Sequence, residues 1–246
     1  MDATPCIDCP LRALPLFLPH TEEELALVQF LKRRELSVDA GEAVIHEGQG
    51  ETRLFTLLEG WAYRFKTLSD GRRQILNFLL AGDFIGVQQK MSDAAAHGVV
   101  ALTPVRLCVF DRDALWELHR GQPSMGFNVT WLTAHEESLV DDNLLSLGRR
   151  SAEERVATAL ILLYKRAAAL RHGADDGRGV PFPVTQQHLA DALGLSLAYT
   201  NKTLRKLERR GLYRLADGRL TLPDPKALVR LADLYGDGRP PPRPLV

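Results

Sequence analysis

The chain reads as an α+β protein: an N-terminal β-roll, one long helix and a C-terminal winged helix-turn-helix. Three observations predict it. Residues 36–110 hold short β-rich runs broken by glycines, and residues 124–147 form one uninterrupted helical stretch. Residues 185–222 give a short helix, a glycine turn, a basic second helix and a hairpin. Length agrees, since 246 residues exceed the ~100–200 of one domain and leave room for two cores.

Thr21 is an N-cap ahead of a helix through about Arg33, with an acidic first turn. The strand-like runs are 43–46, 54–58, 61–65, 74–79 and 105–110, punctuated by Gly41, Gly48, Gly60, Asp70-Gly71, Gly82 and Gly86. Short strands at such spacing predict a sandwich or a roll. Asp111 opens a short helix, and the long helix runs from Ser124 to about Leu147. Its inner residues Phe127, Trp131, Leu139 and Leu145 are sparse, and Asp141 and Asp142 are acidic. The pattern predicts pairing with a second copy in a homodimer; packing on its own roll is the alternative. Gly148-Arg149-Arg150 is a hinge. Ser151 and Glu154 form a capping box for a helix through about Leu170, with Val156, Leu160, Leu163 and Ala167 on one face. Residues 172–179 read as a loop, and residues 236–246, rich in proline, as disordered. The expected division is 1–120 for the roll and its cysteine-bearing arm and 121–148 for the dimerisation helix and hinge. Residues 149–236 then form the winged helix, and 237–246 the disordered tail.

In the last module Thr185 caps a helix over Gln186–Leu193, Gly194 makes the turn, and Ser196 caps a second helix to about Arg210. Thr200, Leu204 and Leu207 face the core, leaving Lys202, Arg205, Lys206, Arg209 and Arg210 outward. A hairpin follows, turning at Asp217-Gly218 in the type I′ manner. A short helix feeding a capped basic helix is the geometry that lays side chains in a DNA major groove. The contacts assigned to double-stranded DNA are Thr185, Gln186, Lys202 and Arg205 for phosphate, and Leu197, Ala198, Tyr199 and Asn201, next to the capping Ser196, for bases.

The whole chain balances 31 basic against 31 acidic residues, yet the halves differ. Residues 149–246 carry 18 Lys and Arg against 10 Asp and Glu; residues 1–148 carry 13 against 21. A positive reader and an acidic N-terminal module follow, the first suited to phosphate. No segment approaches the ~20 apolar residues of a membrane span, so no membrane partner is expected. With no signal-peptide pattern at the N-terminus, a cytoplasmic location is expected. In a reducing compartment the three cysteines are packed thiols or ligands rather than a disulfide framework.

The order of parts resembles the Crp/Fnr family of bacterial transcription regulators over nearly the whole chain. The resemblance rests on residues 70–75 (DGRRQI), 82–86 (GDFIG), 151–155 (SAEER) and 185–212. It implies a cyclic-nucleotide-binding-like jelly roll as sensor, a dimer helix, a winged-helix reader and RNA polymerase as partner. Cyclic-nucleotide members hold the phosphate with an arginine that residues 84–100 lack, so no cyclic nucleotide is expected. The oxygen-sensing branch carries an iron–sulfur cluster on N-terminal cysteines and one on a late strand. Cys6, Cys9 and Cys108 match three of those four positions, and Pro15 stands at the remaining one. The resemblance therefore implies a cluster on Cys6, Cys9 and Cys108 and a response to oxygen or redox state. Asp8, His20, water or a small thiol would complete the set. Thiol oxidation, zinc on the three cysteines with His20, and buried thiols without a metal remain open, as does an unidentified small ligand in the roll. Asp142 falls where that branch has an aspartate whose repulsion keeps the dimer apart; a solvated acidic residue explains it equally. At the reading positions this chain has Leu197, Ala198 and Lys202 where the family's known readers have arginine or glutamate, so their half-site does not carry over.

A cupin-like metalloenzyme is the rival class. It needs paired histidines one residue apart, whereas His46 and His97 are isolated and His119 and His135 lie outside the roll. No nucleophile triad, phosphate loop or carboxylate pair points to an enzyme.

Overall fold

A computed structural model describes residues 4–50, 53–88, 94–171, 177–234 and 242–246. They fall into two compact units, one of Met1–Lys66, Phe78–Leu139 and Pro241–Val246, the other of Thr67–Asn77 and Val140–Pro240.

The first unit opens with two 3-10 turns, Cys6–Asp8 and Pro10–Ala13, and α1 (Glu22–Leu31), whose Thr21/Glu24 capping box is formed. The strands are β1 (Lys32–Val38), β2 (Ala43–Ile45), β3 (Leu54–Glu59), β4 (Ala62–Thr67), β5 (Arg73–Leu79), β6 (Phe84–Ile85), β7 (Gly98–Ala101) and β8 (Val105–Phe110). They build two four-stranded sheets in the orders β1-β8-β3-β6 and β2-β7-β4-β5. Apolar side chains from both fill one core, among them Ile45, Leu57, Leu79, Val99, Leu107 and Val109. This is the roll the glycine-punctuated pattern predicts; the short β6 and β7 lacked a pattern long enough to read.

Then come α2 (Ala114–Gly121) and α3 (Pro123–Arg149). Met125, Val129 and Leu132 are buried on one side of α3, while Phe127, Val140, Leu144 and Leu145 are exposed.

In the second unit α4 (Ala152–Ala169) starts from the Ser151/Glu154 capping box. Arg155 ties the hinge, its guanidinium donating to the carbonyls of Leu147 at 2.7 Å, Arg150 at 2.9 Å and Leu193 at 3.2 Å. The short β9 (Val180–Pro181) precedes α5 (Gln186–Leu193) and α6 (Leu197–Arg209). β10 (Arg214–Ala216) and β11 (Arg219–Thr221) form the hairpin, and α7 (Pro225–Leu231) closes the unit. Gly194 takes the left-handed backbone that ends α5, and Asp217 and Gly218 both have positive φ, the signature of a type I′ turn.

One expectation is corrected. Residues 242–246 of the tail read as disordered are packed on the first unit, with Leu245 and Val246 buried. Proline content argued against a core, but two apolar residues after the prolines find one already built. Residues 235–241 lie outside the described residues.

Candidate thiol site and nucleic-acid interface

The alternation of β8 decides where Cys108 goes. Val105, Leu107 and Val109 point into the roll, so Arg106, Cys108 and Phe110 point to the opposite face of the sheet. In register Cys108 lies between Glu35 of β1 and Thr56 of β3. The N-terminal arm covers that face, held there by a few hydrogen bonds. The Cys6 N–H donates to Gln29 Oε1 of α1 at 2.6 Å, and Arg12 donates to the Ile7 carbonyl at 2.9 Å. Lys32 Nζ donates to the Thr4 carbonyl at 2.6 Å and to Glu35 at 2.8 Å.

Cys6, Cys9 and Cys108 therefore line one apolar cavity, about 30 Å³ in volume, together with His20, Leu245 and Val246. All three are free thiols; Cys6 is 8% exposed and Cys108 9%. Burial pushes the Cys6 thiol up against the pull of the Lys32 ammonium, and pushes Cys108 up to about 11 against the same ammonium. Both rest protonated near neutral pH. His20 Nε2 donates to the Leu245 carbonyl at 2.9 Å, while its Nδ1 is buried without a hydrogen-bond partner.

As a donor set, three thiols and an imidazole suit iron–sulfur or zinc chemistry. The arrangement does not. Among the described residues no three Cys, His, Asp or Glu groups converge as a metal cage. The cavity has about the room of one water molecule, and Leu245 and Val246 form part of its wall.

The caps of α5 and α6 form as the sequence implies. Thr185 Oγ1 accepts from the His188 N–H at 3.2 Å, and Ser196 Oγ accepts from the Tyr199 N–H at 3.2 Å. Both hydroxyls are thus engaged in capping. Gln186, Leu197, Ala198, Tyr199, Lys202 and Arg205 are exposed, and Asn201 is half-buried with an unpartnered Oδ1. The five basic side chains of α6 and its cap are not equivalent. Lys206 pairs with Glu153 of α4, and Arg210 reaches the same carboxylate at 3.3 Å. Lys202 and Arg205 form no ion pair among the described residues. Of the residues assigned to dimerisation, Phe127, Asp142 and Leu145 are exposed, and Trp131 and Leu139 are half-buried.

Sequence reasoning missed several residues around these sites. Arg64 on β4 lines a second cavity of about 60 Å³ with Asp83, His97, Glu136 and Arg243. It pairs with Glu136 at 3.3 Å. Leu245 and Val246 were missed at the thiol cavity; the signal was an apolar pair following a proline run.

Residues 35–122 match the family model of a cyclic nucleotide-binding domain, and residues 154–231 that of a Crp-like helix-turn-helix domain. The chain is 34% identical to the nitrogen fixation regulation protein FixK of Bradyrhizobium diazoefficiens, over 92% of this chain and 93% of that protein. It is 31% identical to the transcriptional activator protein FnrL of Cereibacter sphaeroides, over 85% and 84%. Among solved structures, FixK2 from Bradyrhizobium japonicum superposes with a TM-score of 0.73 at 26% identity, covering 82% of this chain and 98% of that one.

Proposed function

Because the chain belongs to the Crp/Fnr family of transcription regulators, we propose that it binds operator DNA as a homodimer and answers to oxygen or redox state at Cys6, Cys9 and Cys108. RNA polymerase is the machinery such a dimer acts on. One observation carries the sensing half: thiols about a hundred positions apart in sequence line a single cavity. The reading half rests on α6, where Lys202 and Arg205 are exposed beside Asn201 and Tyr199.

Three free thiols on one apolar cavity, with no metal cage among the described residues, support thiol chemistry. Two thiols joined as a disulfide give up two electrons and two protons. With hydrogen peroxide as oxidant, the O–O bond breaks and two waters leave. A cluster on the same three cysteines is the competing form.

The test is operator binding under anaerobic conditions and after peroxide or air, on the wild type and Cys108→Ala, with iron, sulfide and zinc analysis. The expected result is an affinity change of at least tenfold in the wild type and none in the variant. Metal-free protein with that response establishes thiol chemistry; stoichiometric iron and sulfide lost in Cys6→Ala establishes a cluster. Affinity indifferent to oxidant in the wild type overturns the redox reading and leaves DNA binding standing.

A further inference from the structure

Residues 242–246 lie along the first unit as an extended peptide. The Arg243 N–H donates to the Leu16 carbonyl at 2.8 Å and the Leu18 N–H donates to the Arg243 carbonyl at 2.9 Å, a parallel bridge between Phe17 and Arg243. The Arg243 guanidinium packs over the Phe17 ring, 5.3 Å from its centre, and donates to Asp83 Oδ1 at 2.7 Å. That ion pair is largely out of water, with Asp83 held further by the Leu80 N–H at 2.8 Å. Farther along, His20 donates to the Leu245 carbonyl and the Thr56 hydroxyl donates to the Val246 carbonyl. Backbone pairing, a charged anchor and two buried apolar side chains are the elements by which a protein surface recognises a peptide strand. Gly82 is part of the fit: its φ is +87°, and a Cβ there would come within 2.3 Å of the Phe17 ring and 3.0 Å of Arg243 Nη2.

We propose that the first unit carries a peptide groove, formed by Leu16–Leu18, His20, Thr56 and Asp83, whose occupant is the chain's own residues 242–246. Occupancy of this groove decides whether Cys6 and Cys108 are reached from solvent. Leu245 and Val246 form part of the wall of the thiol cavity beside the N-terminal arm, so release of the strap opens it to an oxidant larger than water. The strap is covalently continuous with α7 through residues 232–241, so the reader unit and the thiol lid share one stretch of chain. The inference rests on the redox reading for its purpose but not for its geometry.

The experiment is anaerobic alkylation of the metal-free, reduced full chain with iodoacetamide, each cysteine followed by peptide mass spectrometry. It is repeated on protein lacking residues 242–246 and on Arg243→Glu, which sets a carboxylate against Asp83. Both variants are expected to alkylate Cys6 and Cys108 at least tenfold faster, with Cys9, already half-exposed, changing far less. A retained cooperative melt distinguishes strap release from unfolding, and the two variants perturb folding differently. Wild-type rates at Cys6 and Cys108 in either folded variant overturn the groove. Faster alkylation in a protein whose DNA binding ignores oxidant sinks the redox reading alone.

Discussion

Single residues carry charge decisions that composition hides. Glu153 engages both Lys206 and Arg210, so the cations left for phosphate on the outer face of α6 begin with Lys202 and Arg205. Lys202→Ala and Arg205→Ala should each flatten the dependence of log affinity on log salt by about 0.9 per protomer, read by anisotropy titrations. Lys206→Ala should flatten it less, because its ammonium already faces a carboxylate. His97 shows the other kind of decision. Burial first, then the nearby Arg64 and Lys66 charges, lower its pKa to about 4. Above pH 6.5 neither the folded nor the unfolded chain protonates it. As pH falls from 6.5 toward 4, the unfolded chain takes up a proton that the folded one refuses, and stability declines. Between pH 7 and 5 the wild type should lose about 2 kcal/mol more than His97→Gln in urea unfolding. Equal losses would mean the ring is hydrated in solution.

Elements were legible in proportion to the length of their pattern. Thr21, Ser151, Thr185 and Ser196 each cap the helix expected of them, because a short polar side chain before an apolar period has one local use. The type I′ turn at Asp217-Gly218 is equally local. Two-residue strands such as β6 and β9 have no period to read, and their existence depends on neighbours distant in sequence. The same limit governed the thiol site. The cysteines were visible as donors, but the arm's anchoring by Gln29 and the cover by Leu245 and Val246 arise from packing alone. On α3 the sequence assigned Phe127, Trp131, Leu139 and Leu145 to a contact with a second copy, and within the protomer the chain buries Met125, Val129 and Leu132. Both sets are apolar, so the helix has two apolar sides, and one of them has no cover among the described residues. Phe127 at 68% and Leu145 at 51% exposed share the side a second copy would cover. Leu145→Glu should therefore shift sedimentation toward monomer and weaken operator binding in parallel. A variant that sediments as the wild type would place the dimer contact elsewhere on the helix.

For the whole molecule, the charge division and the family membership agree: a basic reader module and an acidic module with other work. On the proposed redox reading, a signal leaves the thiol site through β8 or through the N-terminal arm. β8 sends alternate side chains to opposite faces, so the strand that carries Cys108 is also rooted in the roll through Val105, Leu107 and Val109. It is paired on both edges, with β1 and β3. Cys6 and Cys9, by contrast, ride on two short turns held by a few hydrogen bonds. Any bond drawn between the two sides finds a fixed post at one end and a movable arm at the other. On that reading the displacement, and with it the mechanical work of the signal, falls on the arm.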